Sequence, residues 1–216
     1  MLAATDGLRP NDTYVFFTGN DLCARAIAFV ETGEDYAQSL RRGLKYIIRN
    51  GQSAGPSRVH VVGFLGVLQL LHADSILQKK VKAFGEELSC QQLREKLAAP
   101  ENWFDPKLPP EAWYFSMLMP PNPVRMCPTL FGRDPGNQDS IAVLATRIRE
   151  FRRRQREVVD ALNAAPQDQG NQIHFSYLEE TTRLSFDGDD IAEDCFHLSI
   201  RGQSKVAEAV LRDLGR

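Results

Sequence analysis

Residues 13–21 read TYVFFTGND. A short apolar run that stops at Gly and passes into polar turn residues is the pattern of a buried strand entering a loop. The chain then changes period. GEDYAQSLRRGLKYIIRNG (33–51) places Tyr36, Leu40, Leu44, Ile47 and Ile48 on one face at helical spacing, with Gly51 as a natural stop. RVHVVGF (58–64) reads as the next strand and CQQLREKL (90–97) as a short helix. Residues 137–163 form a long amphipathic pattern with Ile141, Leu144, Ile148, Phe151, Val158 and Leu162 inward and Arg152, Arg153 and Arg154 on a solvated outer face. QIHFSYL (172–178) is a third strand, and QSKVAEAVLRDL (203–214) a last helix. Strands that alternate with helices imply parallel pairing through right-handed crossovers, hence an α/β layered sheet.

Composition sets wide bounds. The 216 residues are 43% hydrophobic and 25% charged, ordinary values for one packed domain. A net charge of −2 gives no electrostatic footprint for nucleic acid. No apolar run approaches the roughly 20 residues of a membrane span, and residues 1–12 show no basic region followed by an apolar one, so no signal peptide is read there. The four cysteines, Cys23, Cys90, Cys127 and Cys195, are spaced too widely for a zinc knuckle. They leave three disulfide pairings and buried free thiols as open readings. A zinc site built on them is therefore not expected.

One region breaks the alternation. Nine of the twelve prolines fall between Pro100 and Pro135, together with Trp103, Trp113 and several other large apolar side chains. This insert, at about 98–136, reads either as an irregular layer against the sheet or as a lid over an apolar pocket. The whole of 1–216 is taken as one partial domain carrying it.

Candidate chemistry gathers where an α/β sheet places it, past the carboxyl ends of strands. In DCFH (194–197), an Asp three residues before a His can orient the imidazole and stabilise its protonated form, the general-base half of a nucleophilic hydrolase. Ser199 follows as an N-cap for the last helix. At the end of the first strand, Asn20 can offer its amide to a developing oxyanion, or simply serve turn chemistry between Gly19 and Asp21. The nucleophile is the gap. Asp74-Ser75 and Asp139-Ser140 superficially suit that role, but neither has a preceding Gly, and Ser140 falls at the start of the long helix. His60, His72 and His174 read as packed or surface histidines.

Taken in order, LRPNDTYVFFTGNDLC and DCFHLSIRGQSKVAEAVL resemble the third and fifth sequence blocks of the SGNH (GDSL-type) hydrolase superfamily. The cysteines after GND and within DCFH resemble the phospholipase B branch, and the middle of the chain is more loosely similar to acyloxyacyl hydrolases. The resemblance implies a three-layer, doubly wound parallel sheet and a Ser-His-Asp triad that cleaves carboxyl esters through an acyl-enzyme, without a cofactor. Residue by residue, it implies His197 and Asp194 as triad members, Asn20 as oxyanion donor, and Gly19 and Asp21 as its supports.

The family's Ser block and a second Gly-bearing block precede GND, yet here GND begins at Gly19. The chain is therefore expected to lack its first one or two strands and to be part of a longer domain, secreted or envelope-associated in full-length form. The expected substrate is a lipid-like or small acyl ester, and the open sheet edge invites self-association. The other readings are an inactive fragment or binding module of the same fold, and a lipid-binding surface built from the insert.

Overall fold

The computed structural model describes residues 12–16, 22, 30–50, 57–83, 85–98, 137–165 and 173–215. It is a mixed α/β structure around a three-stranded parallel sheet of order β1-β2-β5, where β1 is Asp12–Val15, β2 is Ser57–Val62 and β5 is Ile173–Leu178. Tyr14, His60 and Ser176 fall in one cross-strand row; Asp12, Arg58 and His174, two residues earlier, form the preceding row on the same face.

The period-2 alternation of these strands divides the residues between two faces. Val15, Val59, Val61, Ile173 and Phe175 enter a core with Tyr36, Leu40 and Leu44 of α1 (Gly33–Asn50) and with Leu144, Ile148, Phe151, Val158 and Leu162 of the long helix, here α5 (Asn137–Ala164). The helical periodicity read in both segments is thus the packed one. Thr32 caps α1: its Oγ1 accepts from the Asp35 N–H at 3.2 Å and donates to the Asp35 carboxylate at 2.7 Å. Tyr36 and Phe151 stack at 4.3 Å between ring centroids, and Phe64 meets Phe151 edge-on at 5.5 Å.

Two polar side chains inside α5 complete this layer. Gln155 is fully buried; its Oε1 accepts from the Phe64 N–H at 3.0 Å and its Nε2 donates to the Tyr36 hydroxyl at 2.9 Å and the Val62 carbonyl at 3.2 Å. It satisfies the backbone where β2 runs out of strand partners. Asn163 does the same for the outer edge of β5, donating to the Phe175 carbonyl at 2.8 Å and accepting from the Phe175 N–H at 3.0 Å.

The arginine run is less solvated than its composition suggests. Arg152 is half-buried and its Nε donates to the Phe64 carbonyl at 2.9 Å; burial pushes its guanidinium below the usual arginine range, and the neighbouring charge of Arg156 adds to this against the opposing influence of Tyr177. Arg154 reaches Glu34 of α1 at 2.9 Å and Glu157 at 2.8 Å. Arg153 alone keeps to the outer face, paired with Glu157 at 2.6 Å.

β1 also departs from the sequence expectation. Among the described residues it pairs with β2 alone, and Tyr14 within it and Phe16 just past it are 45% and 46% exposed where a buried strand was expected. Among the described residues helices cover one face of the sheet, and these two aromatics do not belong to that packed face.

The remaining elements build a second unit beside the sheet. After the short helices α2 (Gln69–His72) and α3 (Asp74–Leu77), an antiparallel hairpin forms from β3 (Lys80–Ala83) and β4 (Glu86–Ser89). Gly85 turns it with φ 79°, and Lys82 faces Glu87 across it. α4 (Cys90–Ala98) continues directly from β4. The last helix, α6 (Ile200–Asp213), packs through Val206 with Leu65, Leu70, Ile76, Phe186 and Ile191. Glycine is required at 202, because a Cβ there would lie 2.2 Å from the Asp190 carbonyl oxygen. No helix among the described residues is long and apolar enough to cross a membrane.

Candidate functional site

The loop between β5 and α6 is built to hold one pair of side chains. Ile191 and Leu198 form an antiparallel bridge. Across it, the Ala192 N–H donates to the His197 carbonyl at 2.8 Å and the Cys195 N–H to the Ala192 carbonyl at 3.1 Å. Asp194 sits at the turn. Its Oδ1 accepts from the Phe196 and His197 N–H groups, both at 3.0 Å, which leaves Oδ2 aimed at His197 Nδ1 at 2.5 Å. Short polar side chains that take backbone N–H groups two and three residues on stabilise exactly this kind of turn.

The electrostatics follow from that geometry. Burial pushes the Asp194 carboxyl up, but the hydrogen bonds from the His197 ring and from the Phe196 and His197 backbone, with the His197 charge, outweigh it and hold the group below its usual range. An anionic Asp194 accepts from Nδ1–H, so the network assigns the proton of a neutral His197 to Nδ1 and a lone pair to Nε2. Phe196 meets the imidazole edge-on at 4.9 Å between centroids. The pair is open to solvent: the His197 side chain is 65% exposed.

The loop is anchored from both sides. Cys195 is fully buried, has a left-handed φ of 61° and is disulfide-bonded to Cys90 at the start of α4. Arg94 of α4 donates to the carbonyls of Cys195 and Leu70, each at 2.5 Å; burial lowers its guanidinium to about 10. Lys79, just before the hairpin, donates to the Ile191 carbonyl. On the other side Ser199 caps α6, accepting from the Gly202 N–H at 3.2 Å and donating to the Asp189 carbonyl at 2.6 Å. Fully buried Asp190 accepts from the Asp187 N–H at 2.9 Å and pairs with Lys205 and, at 3.3 Å, with Arg201.

Of the residues expected to carry chemistry, Asp194 and His197 are brought together. Gly19, Asn20 and Asp21, with the insert's Trp103 and Trp113 and the cysteines Cys23 and Cys127, lie outside the described residues. Ser75 is exposed on α3, and Ser140 falls in the first turn of α5. Among the described residues no serine hydroxyl is hydrogen-bonded to His197. His72 and His174 are exposed and His60 is buried. Sequence reasoning passed over Arg94, Lys79 and Asp190. Their signal is three-dimensional, because each binds backbone or charge from a remote segment. Comparison with protein-family models and with curated proteins finds no match to this chain.

Proposed function

We propose that this chain carries the general-base half of a carboxyl ester hydrolase of the SGNH type, acting on lipid-like or small acyl esters. The observation that supports the reading is the Asp194 carboxylate, fixed by two backbone N–H groups and holding His197 Nδ1 at 2.5 Å. In that role Nε2 takes the proton from an attacking hydroxyl while Asp194 stabilises the imidazolium, and His197 returns the proton to the leaving alkoxide. Asn20, supported by Gly19 and Asp21, serves as oxyanion donor in this reading. The finer architecture that goes with it is a three-layer, doubly wound sheet.

A second reading is a module of the same fold that binds without turnover. The 65% exposure of His197 favours it, since working bases are usually enclosed with their substrate. Hydrolysis of a short p-nitrophenyl ester separates the two. In the full-length form expected to supply the Ser block, the first reading expects activity that disappears in His197→Ala and falls by up to about 10⁴-fold in Asp194→Asn. Activity that survives His197→Ala in that form overturns it, and a Ser-bearing form without hydrolysis leaves the binding module.

A further inference from the structure

The sheet face turned away from α1 and α5 carries a polar row that the loop pair does not use. His60, at the middle of β2, is only 4% exposed. Its Nδ1 lies 2.6 Å from Ser176 Oγ on β5 and its Nε2 lies 3.0 Å from Asp12 Oδ1 on β1. Arg58 grips the same carboxylate, with Nε 2.8 Å from Oδ1 and an Nη 2.9 Å from Oδ2. Three strands thus place Asp, His and Ser in one hydrogen-bonded line.

The line has a direction. The hydrogen bond from His60 holds the Asp12 carboxyl below its usual range; burial opposes this and the charge of Arg58 adds to it. An anionic Asp12 accepts only, so it takes the proton of a neutral His60 on Nε2. Nδ1 is then an acceptor, and the short contact is the Ser176 hydroxyl donating to it. That is the arrangement by which an imidazole activates a serine. The face is also reachable. Ser176 is half-buried rather than sealed, Tyr14 stacks on His60 at 5.0 Å and is 45% exposed, and the Arg58 side chain is 51% exposed.

We infer that Ser176 is a nucleophile independent of the Asp194–His197 pair, activated by His60 and Asp12, which accepts an acyl group from small activated esters lying on the open sheet face. In the step, the Ser176 Oγ–carbonyl carbon bond forms and the ester C–O bond breaks. The hydroxyl proton passes to His60 Nδ1 and from there to the departing alkoxide, so no other reactant is needed. The Phe175 N–H is held by Asn163, so this donor is committed to the sheet edge. Arg58, the cation of the neighbouring row on this face, is taken up by Asp12. With these donors committed elsewhere and no oxyanion donor assigned beside Ser176, the expected reaction is slow acylation of Ser176 rather than fast turnover.

The test is a fluorophosphonate probe, with the adduct located by peptide mass spectrometry. The expected result is an adduct at Ser176 in the wild-type chain, formed at least about 100-fold more slowly in His60→Gln, the scale of a lost general base. Asp12→Asn should slow it as well. The wild-type adduct does not depend on any variant folding; circular dichroism establishes whether His60→Gln is native before its rate is compared. No adduct at Ser176, as a purely structural Ser176–His60 bond predicts, overturns the inference, and so does an unchanged rate in a folded His60→Gln. The adduct's position reads this site, whereas ester hydrolysis lost in His197→Ala reads the loop pair, so either can fail alone.

Discussion

Replacing Cys90 and Cys195 together by alanine removes the covalent tie between α4 and the loop that holds His197. The two half-cystines are 105 residues apart in sequence. In the loop-entropy treatment, closing a loop of that length takes about 4.8 kcal/mol out of the unfolded state at 25 °C. Part of the restraint survives in the Arg94 and Lys79 contacts to the same loop. We therefore expect a loss of about 3–5 kcal/mol, within the span seen for native disulfides. Urea denaturation followed by far-ultraviolet circular dichroism measures it. With a slope of about 2 kcal/mol per M, the midpoint should fall by about 1.5–2.5 M. The backbone should respond locally too, because Cys195 holds φ at 61° between Asp194 and His197. Released from Cys90, residues 191–198 should exchange their amide hydrogens faster than in the wild type. A midpoint within about 0.5 M of wild type, with unchanged exchange in this loop, would refute the reasoning and show that hydrogen bonds alone hold the site.

Two further outcomes follow from neighbouring features. Gln155→Leu leaves the Phe64 N–H and the Val62 carbonyl without the partner described above, and at about 1–3 kcal/mol for each orphaned buried group the loss in the same assay should be about 2–6 kcal/mol. The depressed Asp194 carboxyl predicts an acid-side dependence: a group whose folded value lies below its unfolded value contributes stability that is fully present above the unfolded value, near 3.8, and is lost as pH falls through the folded one. Amide exchange across 191–198 should accelerate over that interval in the wild type and lose this step in Asp194→Asn.

Helices α1, α4, α5 and α6 and strands β2 and β5 were legible because each carries its own period. Tyr36, Leu40 and Leu44 in α1, or Leu144, Ile148 and Phe151 in α5, announce a buried stripe without reference to anything else. The Asp194–His197 pair was legible for the same reason, since both partners lie within one turn. The hairpin at 80–89 escaped notice because half of KVKA and EELS is charged; the usable signal was the Lys82–Glu87 pairing about Gly85, which depends on knowing the register. Arg152 looked solvated because composition cannot show that a carbonyl at the end of β2 waits for its guanidinium. The partner of Cys195, and the meeting of Asp12, His60 and Ser176, depend on segments about 50 to 115 residues apart, and no local pattern encodes them.

Asn163 acts as a stand-in strand at one point of the sheet. By giving Phe175 both a donor and an acceptor, it occupies the outward backbone groups at the middle of β5, while among the described residues β1 pairs with β2 alone. A strand added along β5 would have to displace that amide first, breaking two hydrogen bonds at one residue. One side chain on α5 thus guards the middle of that edge against recruitment by another chain.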